Sequence, residues 1–193
     1  TTLAFLLLAP FAGLNAAEQS QPNIVFIYAD DWGWSDLSCH GHPWLKTPNL
    51  DRLASEGVDF QQFNVLNPVC SPSRTAVMTG HYPARYCIHQ HFAAPAQNHA
   101  RNMPDWLDPQ APTLPRFLQQ AGYRTAHFGK WHLGAEPYSP LQHGFDVDLP
   151  HWPGPGPAGR FLAPWKFQNL DPDPAVPHQH IEDRQAKGAV AFI

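Results

Sequence analysis

Apolar and polar positions alternate along this chain in blocks that read as strand, helix, strand. Asn23-Ile24-Val25-Phe26-Ile27-Tyr28 is a short apolar, β-rich run that suits a buried strand of a parallel sheet. Asp30-Asp31 follow it directly, and in open α/β sheets ligands collect beyond the carboxyl ends of strands. Thr47-Pro48 opens a helix with Leu50, Leu53 and Ala54 on one face, and Gly57 ends it. Residues 58–65 form a second expected strand. A helix is expected from Ser73 to Met78, with its N-terminus near Cys70 and Gly80 as its stop. Residues 113–120 read as another helix, ended by Gly122. Residues 123–128 then read as a strand running into Gly129-Lys130-Trp131-His132. The last segment, residues 182–193, is amphipathic, with Ile181, Ala186, Ala189, Val190 and Ile193 apolar. Strands alternating with helices argue for an α/β sheet rather than a sandwich or a bundle.

Residues 3–14 are apolar but too short to span a membrane. They have the length of a signal-peptide core, Ala16-Ala17 offers small residues for cleavage, and a polar break follows at residues 18–21. Residues 1–17 are therefore expected to be a signal peptide whose start is missing, the alternative being a buried first strand or helix. Export to the periplasm or outside the cell, or to the lysosomal and secretory route in a eukaryote, is the expected localisation.

The 193 residues suffice for one domain with a real core. A net charge of −4 without a Lys/Arg run argues against a nucleic-acid partner. Eight of the 22 prolines fall in residues 150–177, which also hold Trp152, Phe161, Trp165 and Phe167. A flexible linker should be poor in aromatics, so an ordered surface loop bordering the substrate site competes with the linker reading. The 12 histidines lack regular spacing and read mostly as surface or substrate-facing residues. The cysteines are Cys39, Cys70 and Cys87. If Cys70 is modified, Cys39 and Cys87 are the one pair left, though sequence does not establish a bond.

Three elements carry candidate chemistry. Asp30 and Asp31 either cap a turn or offer carboxylate oxygens to a hard divalent cation, and two aspartates alone do not complete such a shell. Cys70 is either a buried cysteine at a helix start or a nucleophile, and Arg74 is either a solvated helix residue or part of that site. Lys130 and His132, two apart after a strand, would face one site if the backbone stays extended, or would simply form a charged strand end.

Cys70-Ser71-Pro72-Ser73-Arg74, followed by Thr79-Gly80, resembles the first signature of the type I, formylglycine-dependent sulfatases. Gly122-Tyr123-Arg124-Thr125 with Gly129-Lys130-Trp131-His132 is similar to the second signature. The segments 46–57 and 82–85 look like that family's early helix and its continuation. The resemblance runs from about residue 22 to 147, and residues 22–193 are expected to be the N-terminal part of a catalytic domain. Cys87 stands where relatives commonly carry glycine.

The resemblance implies an alkaline-phosphatase-like fold, with a mixed, largely parallel sheet flanked by helices. It implies hydrolysis of aryl or carbohydrate sulfate monoesters. Cys70 would be converted to formylglycine (3-oxoalanine) by a maturation enzyme, and the aldehyde hydrate would attack sulfur. Its second hydroxyl would then expel sulfate. Asp30, Asp31 and modified Cys70 would hold a Ca2+ ion. Arg74 would steady the ionised hydrate, Lys130 would stabilise negative charge, and His132 would take a proton from the hydrate. The implied partners are a sulfated small molecule or carbohydrate and the maturation enzyme, with no stable membrane span. The family's later Asp-Asn metal pair, a later histidine and a second lysine would lie beyond Ile193, so residues 1–193 alone are expected to be inactive. Two other readings remain: a phosphate mono- or diester hydrolase of the same superfamily, and an inactive secreted carbohydrate-binding relative.

Overall fold

The structure is a computed structural model that describes residues 21–193. The expected signal peptide, residues 1–17, lies outside the described residues. Among the described residues, five α-helices and two strands follow in order: α1 Pro48–Glu56, α2 Cys70–Thr79, α3 Pro95–Ala100, α4 Leu114–Gln120, β1 Ala126–Phe128, β2 Val147–Leu149 and α5 Ile181–Phe192. β1 and β2 pair in parallel, Ala126 opposite Val147 and Phe128 opposite Leu149. A parallel pair needs a crossover of a dozen or more residues. Here residues 129–146 make it, and they include a 3-10 turn at Pro140–His143. No helix among the described residues is long and apolar enough to cross a membrane.

The helices follow the proline and glycine punctuation. Pro48 and Pro115 sit in first turns, where a missing N–H costs nothing. α2 starts three residues earlier than expected, so Cys70 is its first residue rather than a neighbour of its end. Gly80 closes it in the left-handed conformation at φ +67, its N–H donating to Ala76 at 2.8 Å. α2 buries small and hydroxylated residues, Ser71, Ser73, Thr75, Ala76 and Thr79. That burial is tolerable because Thr75 and Thr79 each donate to a carbonyl one turn back, at 2.9 and 2.7 Å.

The two other expected strands do not form. Residues 23–28 and 58–65 carry no strand hydrogen bonding among the described residues. Ile24, Val25, Phe26 and Ile27 are exposed, and so are Val58, Phe60, Phe63 and Val65. The composition favours strands, but a strand exists only against a neighbour that takes up its N–H and C=O groups, and the described residues lay none beside these two. Cys39 and Cys87 are both free and exposed, so the one pair left open by the sequence is not joined.

Two apolar clusters hold the rest together. Ile88, Phe92, Met103, Leu107, Ala111, Trp131 and Leu133 form the first, which lies under the candidate site. Ala158, Ala163, Trp165, Phe167, Leu170 and Ile181 form the second. The proline-rich segment 150–177 is thus an ordered loop with a core of its own. Trp165 donates its indole N–H to the Leu170 carbonyl at 2.7 Å, which satisfies the polar end of a buried ring.

Candidate active site

The irregular segment after Tyr28, the first turns of α2 and the turn after β1 meet at one place. Asp30 is its centre. Arg74 donates from Nη2 to Asp30 Oδ2 at 2.8 Å, and Lys130 donates from Nζ to Oδ1 at 2.9 Å. Burial alone would raise the Asp30 carboxyl. The hydrogen bonds and charges of Arg74 and Lys130 outweigh that and hold it below the ordinary carboxylate range. One carboxylate therefore neutralises one of two adjacent cations, and the cluster keeps a net positive charge.

Arg74 is held from several sides. Its guanidinium lies over the Tyr28 ring, 5.4 Å from the centroid, and Nη1 donates to the Lys130 carbonyl. The Tyr28 hydroxyl shares a 2.5 Å hydrogen bond with Ser73. The Lys130 carbonyl also faces His127 Nε2 at 3.3 Å. The other nitrogen of His127 meets Asp148 at 2.7 Å, and Asp148 reaches on to His151 at 2.8 Å. The pairing of β1 with β2 sets His127 opposite Asp148. The sheet thereby fixes the turn that carries Lys130.

His132 reaches the site by a turn, not along an extended strand. Gly129 at φ +119 and His132 at φ +55 bend the chain after β1. A side chain at Gly129 would be strained at that φ. Trp131 and Leu133 sink into the first apolar cluster on either side. The Trp131 indole donates to Tyr138 at 3.0 Å, and the Leu133 carbonyl accepts from Leu107 at 2.8 Å. His132 itself is 5% exposed.

The Nε2 of His132 lies 3.1 Å from the Phe92 carbonyl. A carbonyl only accepts, so Nε2 carries the hydrogen and, in the neutral ring, Nδ1 is a bare lone pair. Burial, aided by the charges of Lys130, Arg74 and His91, lowers its pKa to about 4 despite the Phe92 hydrogen bond. The ring is neutral at physiological pH and able to take a proton at Nδ1.

Two buried side-chain nitrogens have no partner among the described residues, His132 Nδ1 and Arg74 Nε. Orphaned buried polar atoms are rare and costly, and both of these belong to residues singled out from the sequence. Among the described residues no group of three or more His, Cys, Asp or Glu gathers as a metal site. Asp31 is exposed and stands at φ +59, a left-handed conformation that Asp tolerates better than most residues. Cys70 is half-buried at the head of α2.

Sequence reasoning missed Tyr28, Ser71 and Phe92. Tyr28 could have been noticed as a lone hydroxyl closing an apolar run. Phe92 acts through its peptide group, which no side-chain pattern reports. His40 is not a free surface histidine either, since it stacks on Trp34 at 3.8 Å and meets Asp59 at 3.1 Å.

Known proteins match this chain over the same region. A sulfatase family model covers residues 22–154. N-acetylgalactosamine-6-sulfatase of Canis lupus familiaris is 46% identical over 148 residues, which is 73% of this chain and 28% of that protein. Arylsulfatase A of Homo sapiens is 42% identical over 143 residues, 72% of this chain and 27% of that one. Among solved structures, yidJ from Bacteroides fragilis, assigned as a sulfatase, superposes with a TM-score of 0.57 at 33% identity over 69% of this chain and 32% of its own. The chain thus spans less than a third of the length of these relatives. The likeness extends to the fold, and the α/β, alkaline-phosphatase-like class expected from the sequence stands. With two thirds of its residues inside the family match, this chain belongs to the sulfatase family.

Proposed function

We propose that the full-length protein is a sulfuric ester hydrolase acting on a sulfated carbohydrate, with Cys70 converted to formylglycine and one divalent ion, calcium, at the site. The observation that carries this reading is the convergence of Asp30, Arg74 and Lys130 at α2, with a neutral, buried His132 held nearby and keeping a free lone pair. Such a place suits an anion that must gain negative charge and lose a proton nearby. The name of the canine relative, an N-acetylgalactosamine-6-sulfatase, supports a sugar sulfate as the substrate class.

The residues in hand fit a hard cation in kind. Asp30 and Asp31 supply carboxylate oxygens, and each Asp30 oxygen keeps a lone pair after accepting from Arg74 or Lys130. The orphaned nitrogens of Arg74 and His132 await a further polar group. Asp30, Asp31 and modified Cys70 would hold the ion, and when bound it supplies Lewis-acid charge to the sulfate oxygens. Modified Cys70 supplies the nucleophile. Arg74 and Lys130 offer fixed positive charge to the developing anion, preorganised by Tyr28, Asp30 and the Lys130 carbonyl. His132 Nδ1 takes the proton. Export, supported by the apolar residues 3–14, would place the protein where sulfated polymers are met.

The test is peptide mass spectrometry on the full-length protein made together with a maturation enzyme, beside turnover of matched sulfate and phosphate esters. A hydrazine-reactive aldehyde at residue 70 and preference for the sulfate ester are expected. Full activity with an intact thiol, or preference for phosphate, overturns the reading, and a thiol-bearing protein without turnover points to an inactive relative.

A further inference from the structure

We infer that Ser71 is a positioning residue for His132, acting through the backbone of Phe92. The inference rests on the sulfatase reading above for its catalytic meaning, but its geometry is independent of that reading. The buried Ser71 hydroxyl accepts the Phe92 N–H at 3.0 Å. The carbonyl of the same residue accepts His132 Nε2 at 3.1 Å. One residue's backbone therefore carries both hydrogen bonds, one from the residue beside Cys70 and one from the candidate base. Ser71 is itself fixed, because its carbonyl accepts the Thr75 hydroxyl at 2.9 Å. The Phe92 side chain is locked in the first apolar cluster.

The consequence is directional. The Phe92 carbonyl selects the His132 tautomer with hydrogen on Nε2 and leaves Nδ1 bare. Ser71 holds the N–H before the Phe92 Cα, the first cluster holds its side chain, and together they limit where the carbonyl after that Cα points. Ser71 touches neither of the orphaned nitrogens, and its hydroxyl lies on the Phe92 side of α2. Its identity therefore ties the nucleophile's helix to the base without entering the reaction.

The experiment is a double-mutant cycle on the full-length enzyme, with rates counted per formylglycine so that maturation is not mistaken for catalysis. Ser71→Ala should lower kcat about ten-fold with KM unchanged, the scale of one lost hydrogen bond. In a His132→Ala background the same change should cost little more, because the residue it acts through is gone. Losses that multiply, or an unchanged kcat in Ser71→Ala, overturn the inference. Hydrogen exchange at the Phe92 amide needs no turnover and should accelerate in Ser71→Ala; unchanged exchange also overturns it. A wild-type enzyme with an aldehyde but no sulfate-ester turnover would instead sink the sulfatase reading, and the exchange measurement alone would then decide the Ser71–Phe92 link.

Discussion

The region around Asp30 and the region from Ala158 to Ile181 are built on opposite terms. In the first, charged groups crowd together and two buried nitrogens lack partners among the described residues. In the second, the interior is alanine, leucine, isoleucine and aromatic rings, and the polar end of buried Trp165 is satisfied. A fold gains nothing by leaving polar atoms orphaned, so the first region spends stability on something else. Substitutions should then cost rate in the first region and stability in the second.

The sharpest break in that contrast would come from Cys70. Cys70→Ala should abolish turnover in the complete enzyme while leaving the thermal midpoint nearly unchanged, measured by sulfate release and calorimetry. Lys130→Ala should lower kcat by roughly a hundred- to thousand-fold, about 3–4 kcal/mol of barrier, and added calcium should not restore it. Asp31→Asn is the matched control, since Asn also tolerates the left-handed φ at that position. It removes only charge, and its activity should recover partly as calcium is raised. Rescue of Lys130→Ala but not of Asp31→Asn in a calcium titration would reverse the roles given to these residues.

On the other side, Leu170→Ala should destabilise by about 3 kcal/mol in urea unfolding, because Leu170 is fully buried in the second cluster. The kcat of the folded fraction should not move; a fall in kcat would show that the two regions are coupled. The smallest effect is a slope. His132 falls from 6.5 to about 4 on folding, so the unfolded chain takes up that proton first. Its contribution to stability is whole above pH 6.5 and drains away as pH falls toward about 4. His132→Gln should flatten this part of a urea-midpoint versus pH profile.

α1, α2 and α4 were legible because proline and glycine mark their ends locally, as at Pro48, Gly80 and Pro115, and α5 through its amphipathic pattern, while α3 was not expected. Of the expected strands, 123–128 forms in part as β1, while residues 23–28 have the right composition and still need a neighbour to pair with. Arg74, Lys130 and Asp30 meet in the structure, and the backbone at residues 130–132 is a turn rather than extended. The core within the proline-rich segment was half visible, through its aromatics. What stayed hidden were contacts made by backbone, such as the Lys130 carbonyl shared by Arg74 and His127.

Phe92 shows how far that concealment reaches. A survey of every side-chain replacement would score it as one more greasy residue of the interior, tolerant of leucine or methionine, because any amino acid but proline brings the same N–H and the same C=O. Its part in the site would leave no trace in such a map. Only chemistry that edits the chain itself would reach it: an ester in place of the 91–92 amide would remove the donor toward Ser71, and a separate ester in place of the 92–93 amide would weaken the acceptor toward His132. Inheritance can vary the residues at both ends of this connection, but it has no letter for the middle.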